Sequence, residues 1–285
     1  MDVIWDELRR SEWETAVGPA PLQQQWAYGA VMARLGATVR RAQVIAEDGT
    51  HSHVQCILRR IGPLRVAWHG LPTPGSAHAA DALRDEGPLI WIGPAPLGIT
   101  LGQVRHHAQL DLSVPDLRAR LHGKWRNRLN AAQRSGLIVS QMGGVPNWLL
   151  RAEKAQQKRA RYRNMPPRWI DGWARYRADG LFTVSAGRNA AAMSFLVHGT
   201  SATYLIGWSG EEGRRHSAHN LLMWNAVQKL RAAGIATLDL GLVSPDTPGL
   251  NQFKMGTGAK LRQIPPPRLR VMPRKRFMQQ EGVIV

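Results

Sequence analysis

Residues 181–240 read LFTVSAGRNAAAMSFLVHGTSATYLIGWSGEEGRRHSAHNLLMWNAVQKLRAAGIATLDL, and the order of patterns in them decides the fold. Leu181–Ala186, Ala190–His198 and Thr203–Trp208 are short apolar runs separated by turn residues, the mark of successive strands. Ser217–Ala233 changes period. Met223, Val227 and Leu230 fall on one face of a helix, flanked by Ala226 and Ala233. Gly234 stands where a helix C-cap is expected, and Ile235–Leu240 returns as a strand. Three strands, a helix and a further strand predict a mixed α/β sheet with the helix packed on it.

The same order appears toward the N-terminus. Residues 22–35 predict a helix ending at Gly36, followed by strands Thr38–Ala46 and Thr50–Arg60 around the turn Glu47-Asp48-Gly49. Arg65–His69 is a third strand, closed by Gly70-Leu71-Pro72. Ser76–Glu86 is a helix with Ser76 as its N-cap, and Leu89–Ile92 is a buried strand. Residues 93–98 form a loop, and Val104–Leu112 a further strand. A long basic helix starts near Pro115-Asp116. Leu117, Leu121, Trp125, Leu129 and Ala132 make its apolar stripe, and Gly136 closes it. Leu137–Gln141 is a strand, and helices over Asn147–Tyr162 and Arg168–Ala178 lead back to residue 181. These patterns predict an α/β chain of two similar modules, 1–135 and 136–285, with mixed sheets and no low-complexity linker.

The chain has 285 residues, 44% hydrophobic, and a formal net charge of +18. That much apolar surface excludes disorder as the default. The single cysteine, Cys56, excludes an internal disulfide and a cysteine-rich zinc site. No window approaches the ~18 apolar residues of a membrane span, and no apolar run follows the charged start as a secretory signal would require. The expected setting is cytoplasmic. The charge is uneven: residues 1–117 carry a net −2, residues 118–188 a net +13 and residues 189–285 a net +7. Such a segment attracts anions: a phosphorylated donor, nucleic acid, an anionic cell-wall precursor, or a membrane surface in peripheral contact. The plain alternative is a solvated face. Arg268, Arg270 and Arg274-Lys275-Arg276 follow Pro265-Pro266-Pro267 as a basic, extended tail.

Three stretches carry a resemblance. They are Gln24-x-Trp26-x-Tyr28-Gly29; Lys124-Trp125-Arg126-Asn127-Arg128-Leu129-Asn130-Ala131-Ala132 closed by Gly136; and Leu238-Asp239-Leu240-Gly241 followed by Gly249-Leu250 and Phe253-Lys254-x-Gly256. Together they resemble the Fem-type peptidoglycan aminoacyltransferases and related tandem modules of the Gcn5-related N-acetyltransferase (GNAT) fold. The resemblance implies transfer of an acetyl or aminoacyl group from an activated donor to an amine. It implies Lys254 as the residue that stabilises developing charge, with Phe253 beside it. The expected substrate contacts are Trp26, Tyr28, Lys124, Arg126 and Trp208, and Lys124, Arg126 and Arg128 on the basic helix are candidates for an anionic acceptor or donor. The donor implied is an acyl-coenzyme A or an aminoacyl-tRNA. Where coenzyme A users have a glycine-rich turn, this chain reads Arg214-Arg215-His216-Ser217-Ala218-His219-Asn220, with no glycine after Gly213. Arg214, Arg215, Ser217, His219 and Asn220 are the expected donor contacts, at a helix N-terminus.

The residues themselves support a sparse site. Amine acylation needs positioning and oxyanion stabilisation rather than a triad, and no Gly-x-Ser-x-Gly elbow is present. Asp239 ends a buried strand, where open sheets face their ligands. Tyr204 and Trp208 are expected on one strand face, with Tyr204 able to protonate a leaving group. His198 ends a strand. His216 and His219 lie at a helix start that favours neutral imidazole. The pairs His51/His53 and His106/His107 read as strand and loop residues, and no metal is expected. The rival function is a non-catalytic binder of nucleic acid or another anionic polymer through residues 118–188. No nucleic-acid-binding motif accompanies it.

Overall fold

The computed structural model describes residues 2–18, 21–69, 75–95, 97–177 and 179–273. Contacts divide the chain into two compact units: Met1–Val17, Met32–Gln103 and Pro265–Val285 form the first, and Gly18–Val31 with Val104–Ile264 the second. Among the described residues each unit is built on a seven-stranded mixed sheet. This is the tandem α/β architecture that the patterning predicts.

The first unit holds β1 (Asp2–Trp5), α1 (Arg10–Val17), β2 (Thr38–Ile45), β3 (His51–Ile61), β4 (Leu64–Trp68), α3 (Ser76–Asp85), β5 (Leu89–Gly93), β6 (Ile99–Thr100) and β14 (Arg268–Met272). Its strand order is β1-β2-β3-β4-β5-β14-β6. Val44, Val54, Cys56 and Leu58 of the hairpin meet Ala79, Ala80 and Leu83 of α3 in one buried cluster. Helix α2 (Trp26–Arg34) begins in the residues of the second unit and ends in those of the first. β4 and β5 are parallel and stay joined, with Arg65–Trp68 against Leu89–Ile92. The His69 N–H continues the ladder to the Ile92 carbonyl at 3.0 Å.

The second unit adds β7 (Arg105–Asp111), α4 (Gly123–Arg134), β8 (Val139–Gly143), α5 (Asn147–Ala160), α6 (Pro167–Tyr176), β9 (Leu181–Ala186), β10 (Ala191–His198), β11 (Ser201–Ser209), α7 (Glu211–Arg215), α8 (Ala218–Ala232), β12 (Thr237–Val243), α9 (Pro248–Met255) and β13 (Lys260–Ile264). Its order is β13-β7-β12-β11-β10-β9-β8. Helices α4 and α8 cover one face: Trp125, Leu129 and Ala132 pack with Leu222, Ala226 and Leu230 over Met193, Phe195 and Leu238.

Several expectations are corrected. The units are not the contiguous halves 1–135 and 136–285. β7 pairs with β12 and β13, which draws residues 104–135 into the second unit. β14 pairs with β5 and β6, which returns the C-terminal segment to the first. The basic helix starts at Gly123, not near residue 115; Leu117 and Leu121 stay buried within turns. The helix expected over 22–35 is a single 3-10 turn at Leu22–Gln24 and then α2. Gly75, in the left-handed region at φ 79°, takes the cap position expected of Ser76. Residues 70–74 and 274–276 lie outside the described residues.

Candidate active site

The site starts where two strands separate. β11 and β12 run parallel but pair only over Ser201–Thr203 and Thr237–Asp239. Each strand carries an irregularity past that point. In β11, Tyr204 faces Phe195 and Ile206 faces Ser194, so Leu205 is an extra, bulged residue. In β12 the register with β7 breaks between Asp239 and Leu242, around Gly241 at φ 80°. The Gly241 N–H donates to Asp239 Oδ1 at 2.7 Å, which fixes the carboxylate at the branch.

A separated strand leaves backbone groups without a ladder, and buried ones must find partners. Along the open edge of β11 side chains supply them. Asn164 Nδ2 donates to the Leu205 carbonyl at 2.6 Å, Gln156 Nε2 to Gly207 at 3.2 Å and Arg214 Nη1 to Ser209 at 2.7 Å. Asn164 also donates to the buried Glu153, as do Gln157 and Tyr162. A polar cluster on α5 and the loop after it thus holds the strand apart from β12.

Lys254 reaches this branch from α9. It is 5% exposed, and its Nζ donates to the Leu242 carbonyl at 2.7 Å. Burial pulls its pKa down to about 8, against the opposing pull of the Asp239 carboxylate. Asp239 Oδ2 lies 3.0 Å from His107 Nδ1. A carboxylate only accepts, so Nδ1 carries the proton, and in the neutral form of the ring Nε2 is the acceptor. Burial pushes the Asp239 pKa up, but the His107 hydrogen bond and charge, the Gly241 N–H and Arg262 outweigh it and hold the carboxyl below its ordinary range. Leu238 and Leu240 point into the core on the α4 and α8 face, so alternation sends Asp239 to the opposite one.

On the α4 and α8 face lies an open cavity of about 200 Å³. Lys124, Trp125 and Arg128 line it from α4, Asn220 from α8, and Gln252 and Phe253 from α9. Trp125 Nε1 donates to the Phe253 carbonyl at 3.1 Å and ties the two aromatic walls together.

The structure distributes the predicted residues in three ways. Lys254 and Asp239 come together at the branch, while Phe253, Lys124 and Asn220 line the cavity. His219 packs at 6.0 Å from the Phe253 ring, and burial lowers its pKa. Others serve their own segment. Arg126 Nη2 donates to the Leu121 carbonyl at 3.0 Å, Arg215 pairs with Glu211 at 3.2 Å, and Ser217 sits at φ 51° ahead of α8. Trp26 and Tyr28 lie on α2, with Tyr28 5.8 Å from Trp169 of α6; neither lines the cavity. Tyr204 and Trp208 do not share a face, because the bulge at Leu205 inverts the alternation. Tyr204 sits 5.7 Å from Phe195, and Trp208 meets Trp148 of α5. Burial raises the Tyr204 pKa. His198 is buried, with Nε2 2.9 Å from Thr203 Oγ1 and a pKa lowered by burial to about 4.

His107 was not singled out in sequence for this place, whereas Arg128 was read with Lys124 and Arg126 as a contact for an anionic ligand, and only Lys124 and Arg128 of the three line the cavity. His107 bonds a residue 132 positions away, which no local pattern encodes. Arg128 differs from Arg126 only in helix phase, and 100° per residue turns one to the cavity and the other to the turn before α4. Among the described residues no cluster of three metal-ligating side chains forms, and no helix is long and apolar enough to cross a membrane.

Comparison with known proteins agrees with this geometry. Residues 147–255 match the family model described as an acetyltransferase (GNAT) domain. The crystal structure of FemX superposes with a TM-score of 0.72 at 13% identity, covering 95% of this chain and 97% of that one. A tandem GNAT protein from the clavulanic acid biosynthesis pathway gives 0.52 at 14% identity, over 96% and 100% of the two chains. The C-terminal domain of a putative lysylphosphatidylglycerol synthetase from Agrobacterium fabrum gives 0.50 at 17%, over 85% and 86%. Comparison with curated protein sequences finds no match. The chain shares its fold with FemX and with the tandem GNAT protein, and residues 147–255 are similar to an acetyltransferase (GNAT) domain.

Proposed function

We propose that this protein transfers an acyl or aminoacyl group from an activated ester or thioester to an amine at the branch of β11 and β12. The observation that carries the reading is Lys254, a buried cation beside Asp239 where the sheet opens. An amine attacks the donor carbonyl, and negative charge grows on its oxygen. A preorganised cation in a desolvated place stabilises that charge far more than water does. One N–H of Lys254 is committed to Leu242, and the other two are available to the oxyanion.

His107, oriented by Asp239, takes the proton from the attacking amine through Nε2. The tetrahedral intermediate then collapses, the carbon–heteroatom bond to the donor breaks, and the leaving thiol or ribose hydroxyl regains a proton. The donor approaches from the cavity face and the amine from the Asp239 face, so the acyl group meets the amine through the opening. The donors that fit this chemistry are acyl-coenzyme A and aminoacyl-tRNA, and an amine on a cell-wall precursor is the acceptor class consistent with the FemX-like fold. The test is turnover with each donor class for the wild-type protein and Lys254→Ala. Loss of transfer with the fold retained supports the reading, and unchanged turnover overturns it.

A further inference from the structure

We propose that the first unit docks on an anionic lipid bilayer through an apolar band on its sheet, with the tip of the β3–β4 hairpin leading. The inference is independent of the acyl-transfer reading.

One face of the first sheet packs on α3 through Leu58, Ala67, Leu89 and Met272. The register puts a different set on the other face. Ile61 pairs with Leu64, Val66 with Ile90, Ile90 with Val271, and Leu269 with Ile99. Side chains alternate along each strand, so these apolar residues share the face opposite α3. Ile61 is 58% exposed, Leu64 50%, Ile99 69% and Val271 72%. Ile90 and Leu269 lie half-buried between them. Single exposed apolar side chains are ordinary, but a contiguous band of them marks an interaction surface. The tip is also rigid. Gly62 at φ 58° and Pro63 make a two-residue turn that holds Ile61 and Leu64 side by side. Side chains already held in place lose little conformational freedom on contact.

The charge beside the band selects the partner. Arg59 shares the face, opposite Val66, and Arg60 precedes Ile61. Both are exposed, and neither makes an ion pair among the described residues. Glu86 reaches the same hairpin but is held by Arg65 and Arg40, and Asp6 is held by Arg40. In sequence, Arg274-Lys275-Arg276 follows the strand that carries Val271. Apolar side chains beside unpaired cations match a bilayer interface, where acyl chains take the former and anionic headgroups the latter. A second copy of this chain fits worse. In a two-fold contact the patch meets itself, which sets Arg59 and Arg60 against their own copies. The lipid-facing surface therefore lies in the unit built from the near-neutral start of the sequence, not in the basic segment 118–188.

The test is flotation of the full chain with vesicles of phosphatidylcholine alone or with about 30% phosphatidylglycerol, across NaCl concentrations. Wild-type protein is expected to float with the anionic vesicles and to be released by salt. Ile61→Thr/Leu64→Thr removes the apolar tip and Arg59→Gln/Arg60→Gln its cations, and each pair should weaken binding ~10-fold or more. Lys158→Gln/Arg159→Gln on exposed α5 makes the same charge change elsewhere and should alter binding less than about twofold. Matching thermal melts without vesicles establish that the variants fold. A second readout leaves the cations in place. Leu64→Cys is labelled with an environment-sensitive fluorophore, since Cys56 is buried and closed to the reagent. Its emission should shift to the blue on anionic vesicles. No flotation, an unshifted fluorophore on bound protein, or equal weakening by the tip and α5 pairs overturns the proposal. Binding that is lost on deleting residues 274–285 yet survives in the tip pair also overturns it and assigns the contact to that segment. A dimer that the tip pair dissociates, with no flotation, overturns it in favour of a second copy.

Discussion

The two units share a motif and use it differently. In the first, β4 and β5 stay zipped through Arg65–His69, so the sheet is closed at the place equivalent to the branch. In the second, β11 and β12 part after three residue pairs. The difference is local. β11 carries the bulge at Leu205 and side-chain partners for its freed carbonyls, and β12 carries Gly241 with the Asp239 tether. The second sheet opens where side chains take up the freed carbonyls of Leu205, Gly207 and Ser209, and Lys254, Asp239 and His107 gather there.

The sharpest way to break this comparison is Lys254→Ala. Turnover should fall by ~10²–10³-fold, the usual cost of removing an oxyanion stabiliser. Stability should hold or rise, because the buried ammonium is disfavoured in the fold. A matched assay and melt check both. The pH profile gives the next effect. With Lys254 at about 8, the ammonium is present below that pH, so turnover should decline as pH rises through 8. Lys254→Arg should move that limb upward; a profile flat to pH 10 speaks against the cation role.

Acid stability tests the buried branch. His198 titrates at about 4 in the fold against 6.5 for the ordinary imidazole, so the unfolded chain binds the extra proton. Its stabilising contribution is complete above 6.5 and lost as pH falls toward 4, at up to ~1.4 kcal/mol per pH unit. His198→Gln should flatten that slope in urea titrations. In the closed unit, His69→Ala should cost ~1–3 kcal/mol by freeing the Gln55 carbonyl and Ser76 from their 3.0 and 2.9 Å contacts, with turnover per folded molecule within twofold. A large loss of turnover there would erase the functional contrast between the units. The smallest effect belongs to Asn164→Ala. It uncaps Leu205 and removes one donor from Glu153, for ~1 kcal/mol in chemical denaturation.

Much of the frame was legible. Leu181–Ala186 has the bounds that its apolar run predicts, and α8 differs from its expected range by a residue at each end. Those stretches are decided by period and by Gly234. Other features were not legible because they depend on remote partners. Local pattern assigns no element to residues 248–255, yet Pro248 starts a helix there that buries Lys254. Leu117 and Leu121 continue a four-residue period without being helical, since burial can be met by turns. The segment around Arg268–Met272 reads as an extended basic tail, but its value is as a strand against β5.

Local patterning dictates the α/β class, the doubled motif, the uneven charge and the Phe253-Lys254 pair. These depend on side-chain volume, period and charge, which a linear chain already contains. Tertiary structure alone decides that His107 meets Asp239, that Arg128 rather than Arg126 faces the cavity, and that one unit opens while the other stays shut. Those outcomes are set by register and bulges, where a shift of one residue turns a side chain to the other face.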